Sequence, residues 1–93
     1  MAGNVYSFGV ILLELLTGKP SVSDGIELAK WALSLSGSPD QREQILDTRV
    51  SRTSAAVHSQ MLSVLNIALA CVALSPDARP KMRTVLRMLF NAK

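Results

Sequence analysis

The chain has 93 residues, enough for one modest core and no second domain, and 48% of them are apolar against 18% charged. That balance excludes a disordered or low-complexity chain, and the single Cys71 excludes an intrachain disulfide and every multi-cysteine metal centre. The net charge of +3 hides an asymmetry: residues 1–48 carry three cations and six carboxylates, and residues 49–93 carry seven and one, so the halves stand at −3 and +6. Solvation of outer helix faces accounts for such charge more simply than a nucleic-acid or acidic partner does.

Aromatic residues make up only 4% of the chain, and Leu, Ala, Val, Ile and Met supply most of the apolar mass, which favours helix over strand. The first element is a helix from Asn4, its predicted N-cap, to Leu16, stopped by Gly18 and Pro20. Val5, Tyr6, Phe8, Val10, Ile11, Leu12, Leu13, Leu15 and Leu16 cover nearly every direction around it, so it calls for cover on all sides. At twelve residues the run Val5 to Leu16 is shorter than the roughly 20 of a membrane span. It also lacks the basic start and cleavage site of a signal peptide, so the whole chain is expected to be the mature one.

Asp24 with Glu27 forms a capping-box-like pair that opens a second helix, with Ile26, Ala29, Leu33, Trp31 and Leu35 as its apolar stripe and Gly37 as its end. Ser38-Pro39-Asp40-Gln41 restarts a short helix to about Leu46, and residues 47–54 are expected to be loop. The clearest period follows: Val57, Met61, Val64, Leu65, Ala68, Leu69 and Val72 stand at i, i+4, i+7, i+8, i+11, i+12 and i+15, a helix of about four turns. Pro76 and Pro80 break the chain. Met82, Val85, Leu86, Leu89 and Phe90 then form a core-facing stripe, with Arg83 and Arg87 towards solvent. The fold class is therefore all-α, about five helices, with no repeat and no convincing strand.

The inventory for catalysis is thin. His58 and Cys71 lie on one predicted helix, about 20 Å apart along its axis, and cannot form a dyad. Cys71, among Leu69, Ala70 and Val72, reads as a small core residue, and His58 as a surface residue. Thr17-Gly18-Lys19-Pro20 echoes a phosphate-binding loop but has Leu13 where the first glycine belongs and Pro20 where Ser or Thr meets magnesium. Asp40, Glu43 and Asp47 read as solvated surface, not a metal site. Arg79, Lys81, Arg83, Arg87 and Lys93 have no interleaved aromatics beyond Phe90, so nucleic-acid binding has little stacking support.

Two strings carry more than composition does. Gly3-Asn4-Val5-Tyr6-Ser7-Phe8-Gly9-Val10, followed by Leu13-Glu14-Leu15-Leu16-Thr17-Gly18-Lys19-Pro20, resembles the central helix of the large lobe of a protein kinase. Pro76-Asp77-Ala78-Arg79-Pro80-Lys81-Met82 resembles the arginine-proline loop before the last helix of that lobe. Between them Ile26-Glu27-Leu28-Ala29-Lys30-Trp31, Ile45-Leu46-Asp47 and Leu65-Asn66-Ile67-Ala68-Leu69-Ala70-Cys71 fall in the order and spacing of the plant leucine-rich-repeat receptor-like kinases. The resemblance covers essentially the whole chain.

It implies that residues 1–93 are a partial kinase domain, the lower half of the large lobe. The family's glycine-rich loop, strand lysine, HRD loop and DFG aspartate are absent from the sequence and would lie upstream of Met1. The chain alone should therefore transfer no phosphate and hold no cofactor, with ATP and magnesium implied only for a complete, membrane-anchored serine/threonine kinase or pseudokinase whose kinase domain is cytoplasmic. Asn4, Tyr6, Gly9, Arg79 and Pro80 match structural positions of the family, and no catalytic, cofactor or metal residue is expected. At Asn4 the family usually has an aspartate that supports the catalytic loop; Asn keeps an acceptor and loses the charge. Arg79 would pair with the glutamate of an APE motif that the chain lacks, and is expected to be unpaired or redirected to Asp77. The partners implied are the remainder of the kinase domain, or a protein covering the first helix; without them the exposed apolar face should favour self-association and loose packing. The rival readings are a truncated helical interaction module or pseudokinase scaffold and, more remotely, a basic nucleic-acid binder with steep salt dependence.

Overall fold

The computed structural model describes residues 2–19, 25–46 and 55–92. Among these are five α-helices and no strand: α1 Ala2–Thr17, α2 Ile26–Ser34, α3 Pro39–Ile45, α4 Ala55–Cys71 and α5 Met82–Asn91. A 3-10 turn, Pro76–Ala78, joins the last two. The Asp24 cap and the loop expected over residues 47–54 lie outside the described residues.

α1 begins at Ala2, ahead of the Asn4 cap that the sequence predicts. Ala2 favours helix, and the Ser7 hydroxyl donates to the Gly3 carbonyl at 3.1 Å, so the first turn already includes Asn4, which is exposed. The helix closes where predicted, on Gly18 at φ 71°. Gly18 N–H donates to the Glu14 carbonyl at 3.0 Å, and the buried Thr17 hydroxyl to the Leu13 carbonyl at 2.7 Å. Lys19 N–H donates to Thr17 Oγ1 at 3.1 Å. The phosphate-loop echo is thus a helix terminus, and its residue types are explained without a ligand.

Gly9 lies on α1 where the helix crosses α4. A Cβ there would stand 2.6 Å from Cys71 Cβ and 2.8 Å from Val72 Cγ1, so only glycine lets the two backbones come this close. Around the crossing, Val10, Leu13 and Leu16 pack with Leu65, Ala68, Leu69 and Val72 of α4, with Leu28, Ala29 and Ala32 of α2, and with Ile45 and Leu46. A second, smaller cluster joins Val5 of α1, Ile67 and Cys71 of α4 and Val85 of α5. Cys71 is fully buried, and burial pushes its thiol pKa up.

α2 starts without a side-chain cap. Gly25 takes that position at φ 79°, a left-handed conformation in which any side chain would also collide with Val10. α3 does use the predicted restart: Gln41 N–H donates to Ser38 Oγ at 3.3 Å and Arg42 N–H to the Ser38 carbonyl at 3.0 Å.

α5 differs from its predicted stripe. Val85 is fully buried and Met82, Met88 and Leu89 pack partly against the second core cluster, whereas Leu86 is 56% and Phe90 74% exposed. The reason is geometric: α5 rests against one side of the α1–α4 pair, which covers an arc narrower than the five-residue stripe. Arg83 and Arg87 are exposed as expected.

Candidate functional site

The five positions that the resemblance singles out fall in three places. Gly9 sits at the helix crossing; Tyr6 and Arg79 meet at one end of the bundle, with Pro80 next to Arg79 in the chain, and Asn4 lies on the exposed first turn of α1.

The chain builds the Arg79 corner from its prolines. Pro76 opens a 3-10 turn in which Ala78 N–H donates to the Ser75 carbonyl at 3.0 Å and Arg79 N–H to the Pro76 carbonyl at 3.2 Å. Pro80 disfavours helical geometry at Arg79, which is extended at φ −78°, ψ 138°. The side chain turns back over the fold: Nε donates to the Ala73 carbonyl at 2.9 Å, and the guanidinium carbon lies 4.7 Å from the centroid of the Tyr6 ring, a cation–π contact. Of the two expectations for Arg79, unpaired or redirected to Asp77, the structure shows a local redirection, to the Ala73 carbonyl and the Tyr6 ring. The carbonyl at the end of α4 and the aromatic face on α1 hold it.

Beside this corner is an open groove of about 410 Å³, walled by Gly3 and Tyr6 of α1, by Ile26, Ala29, Lys30 and Leu33 of α2, and by Val72, Leu74 and Arg79. Its walls are mainly apolar with two cations, and among the described residues no carboxylate lines it. Such a surface accepts an apolar segment bearing a negative charge. Among the described residues no group of three or more His, Cys, Asp or Glu could hold a metal ion.

His58 and Cys71 lie at opposite ends of α4, so they form no dyad; His58 is half-buried, not the surface residue expected. Asp40 is exposed, while the Glu43 side chain and Asp47 lie outside the described residues. Sequence reasoning missed Lys30 and Leu74 as groove residues, because charge at a helix surface and a lone leucine in a loop carry no local signal. The second apolar surface is on α1, where Ile11 is 53% and Leu15 74% exposed. Among the described residues no helix is long and apolar enough to cross a membrane.

No family model matches the chain. Individual relatives do, over nearly all of it, and they are protein kinases of the receptor-like class. The chain is 43% identical over 95 residues to the leucine-rich repeat receptor-like tyrosine-protein kinase PXC3 of Arabidopsis thaliana, covering 98% of this chain and 11% of that protein. It is 39% identical to the leucine-rich repeat receptor-like protein kinase TDR of the same plant, over 97% of this chain and 9% of the relative. An inactive leucine-rich repeat receptor-like serine/threonine-protein kinase of A. thaliana is 41% identical, over 97% of this chain and 13% of its own length. The chain thus spans about a tenth of the length of the curated relatives it matches. It is homologous along almost its full extent to plant leucine-rich repeat receptor-like kinases and matches a fragment of such a kinase domain.

Proposed function

We propose that residues 1–93 form the helical base of the large lobe of a receptor-like protein kinase domain, a platform on which the catalytic parts rest and which transfers no phosphate by itself. The observation that carries this reading is the Arg79 corner: a guanidinium fixed by the Ala73 carbonyl and the Tyr6 ring, at the wall of an apolar groove that also bears Lys30. That groove receives the activation segment, whose APE glutamate meets Arg79. The exposed face of α1, with Asn4, Ile11 and Leu15, lies under the catalytic loop. ATP and magnesium bind in the complete domain on residues other than these, and the domain works on the cytoplasmic side of a plasma-membrane receptor that signals by phosphorylating Ser and Thr. Asn4, in place of the usual aspartate, weakens the support of the catalytic loop and fits a slow kinase or a pseudokinase.

The test is complementation. The chain is co-expressed with a kinase segment running from the glycine-rich loop through the activation segment, and complex formation and phosphoryl transfer from ATP are measured. A stable complex is expected, weakened by Arg79→Ala. Phosphoryl transfer by the 93-residue chain alone, or failure to associate with the segment, would sink the proposal.

A further inference from the structure

α5 presents to solvent a surface that the kinase reading does not use. With 100° between successive residues, Leu86 and Phe90 stand one turn apart on its exposed side, and Arg83 and Arg87 lie next to them on the same arc. Leu86 is 56% and Phe90 74% exposed, while the opposite side is tied into the core through Val85. α5 contains no carboxylate, and the only one in residues 49–93 is Asp77, in the preceding turn. The charge and the apolar pair therefore act together on one face, without an acidic residue on the helix to offset them.

We propose that this face of α5 adsorbs to an anionic lipid surface, Leu86 and Phe90 entering the headgroup boundary while Arg83 and Arg87 pair with lipid phosphates. A lipid interface is favoured over an acidic protein by extent. The helix has ten residues, about 15 Å in length, and shows one apolar pair, whereas a stable protein partner requires roughly 800 Å² on each side. An interfacial helix requires only an apolar strip bordered by cations, and its binding grows with buried apolar area and with anionic lipid.

Co-sedimentation of the 93-residue chain with vesicles tests this, using phosphatidylcholine alone and phosphatidylcholine mixed with phosphatidylserine. Binding to the mixed vesicles alone is expected, falling as salt is added. The variant Leu86→Ser/Phe90→Ser, whose sites are exposed and outside the core, should keep its helical circular dichroism and lose roughly tenfold in partitioning. Arg83→Gln/Arg87→Gln should lose a similar factor, and Ile11→Ser/Leu15→Ser, on the other apolar surface, should bind as the parent does. Equal binding to both vesicle types, no binding to either, or undiminished binding by the Leu86/Phe90 variant overturns the proposal. So does binding to polyglutamate as strong as that to the anionic vesicles, which would mark an acidic protein as the partner.

Discussion

The α1–α4 crossing and α5 are both apolar helical surfaces, yet they use their apolar residues in opposite ways. At the crossing nearly every apolar side chain of the shared face is enclosed, and Gly9 removes even a Cβ so that the backbones can approach. On α5 a five-residue stripe is only partly used: Val85 is enclosed while Leu86 and Phe90 face solvent. Apolar periodicity alone therefore does not measure burial. The number of neighbouring elements decides how much of a stripe is covered, and α1, between α2, α4 and α5, has more of them than the outermost helix.

Substitutions should separate the two regions sharply. The largest loss is expected for Leu65→Ala, about 3 kcal/mol from the cavity left opposite Leu13 in the fully enclosed core, read as a lower denaturation midpoint. Gly9→Ala should follow, at about 1–2 kcal/mol. Its gain in helix propensity is outweighed by the clash with Cys71 and Val72, and a neutral or stabilising result would break the close-crossing account. Arg79→Ala should cost about 1 kcal/mol through loss of the Ala73 hydrogen bond and the Tyr6 contact, and Arg79→Lys should restore only part of it. At the other extreme, Phe90→Ser should change the midpoint by less than about 0.5 kcal/mol. A loss comparable to that of Leu65→Ala would mean that α5 is covered in solution.

A pH titration sharpens the same contrast. Burial raises the Cys71 thiol pKa in the folded chain, so above about pH 9 the folded state keeps a proton that the unfolded state has released. The stabilisation from the neutral thiol is complete below that pH and fades as the pH rises through it. Cys71→Ala should flatten this alkaline decline in unfolding midpoint, and an unchanged slope would assign it to other groups.

Much of the fold was legible because its signals were local. The i, i+3, i+4 pattern of Val57 to Val72, the Gly18 stop and the Ser38-Pro39 restart each specify an element from a few adjacent residues. What escaped was set by distant neighbours. Nothing next to Phe90 says that it stays largely exposed, and nothing next to Gly25 marks Val10 as the side chain it must clear. The Arg79 corner was half legible: the prolines and the resemblance placed it in a loop of structural weight. The Tyr6 stacking and the Ala73 bond joined residues 73 and six positions apart, beyond any local pattern. The missing family partner argued for an idle arginine or one turned to Asp77, and the fold supplied a carbonyl and a ring instead.

Arg42 carries a consequence for the order of assembly. Its Nε donates to the Ser36 carbonyl at 3.0 Å and its Nη1 to Asn66 Oδ1 on α4 at 3.0 Å, so one side chain links the α2–α3 connection to a residue 24 positions away. α3 has seven residues, too few to persist as an isolated helix in water. Its lifetime is therefore borrowed from α4, through Arg42 and the enclosed Ile45 and Leu46. The amides of α3 should exchange with solvent in step with those of α4, as one cooperative unit, and α3 should be among the last helices to form as the chain folds.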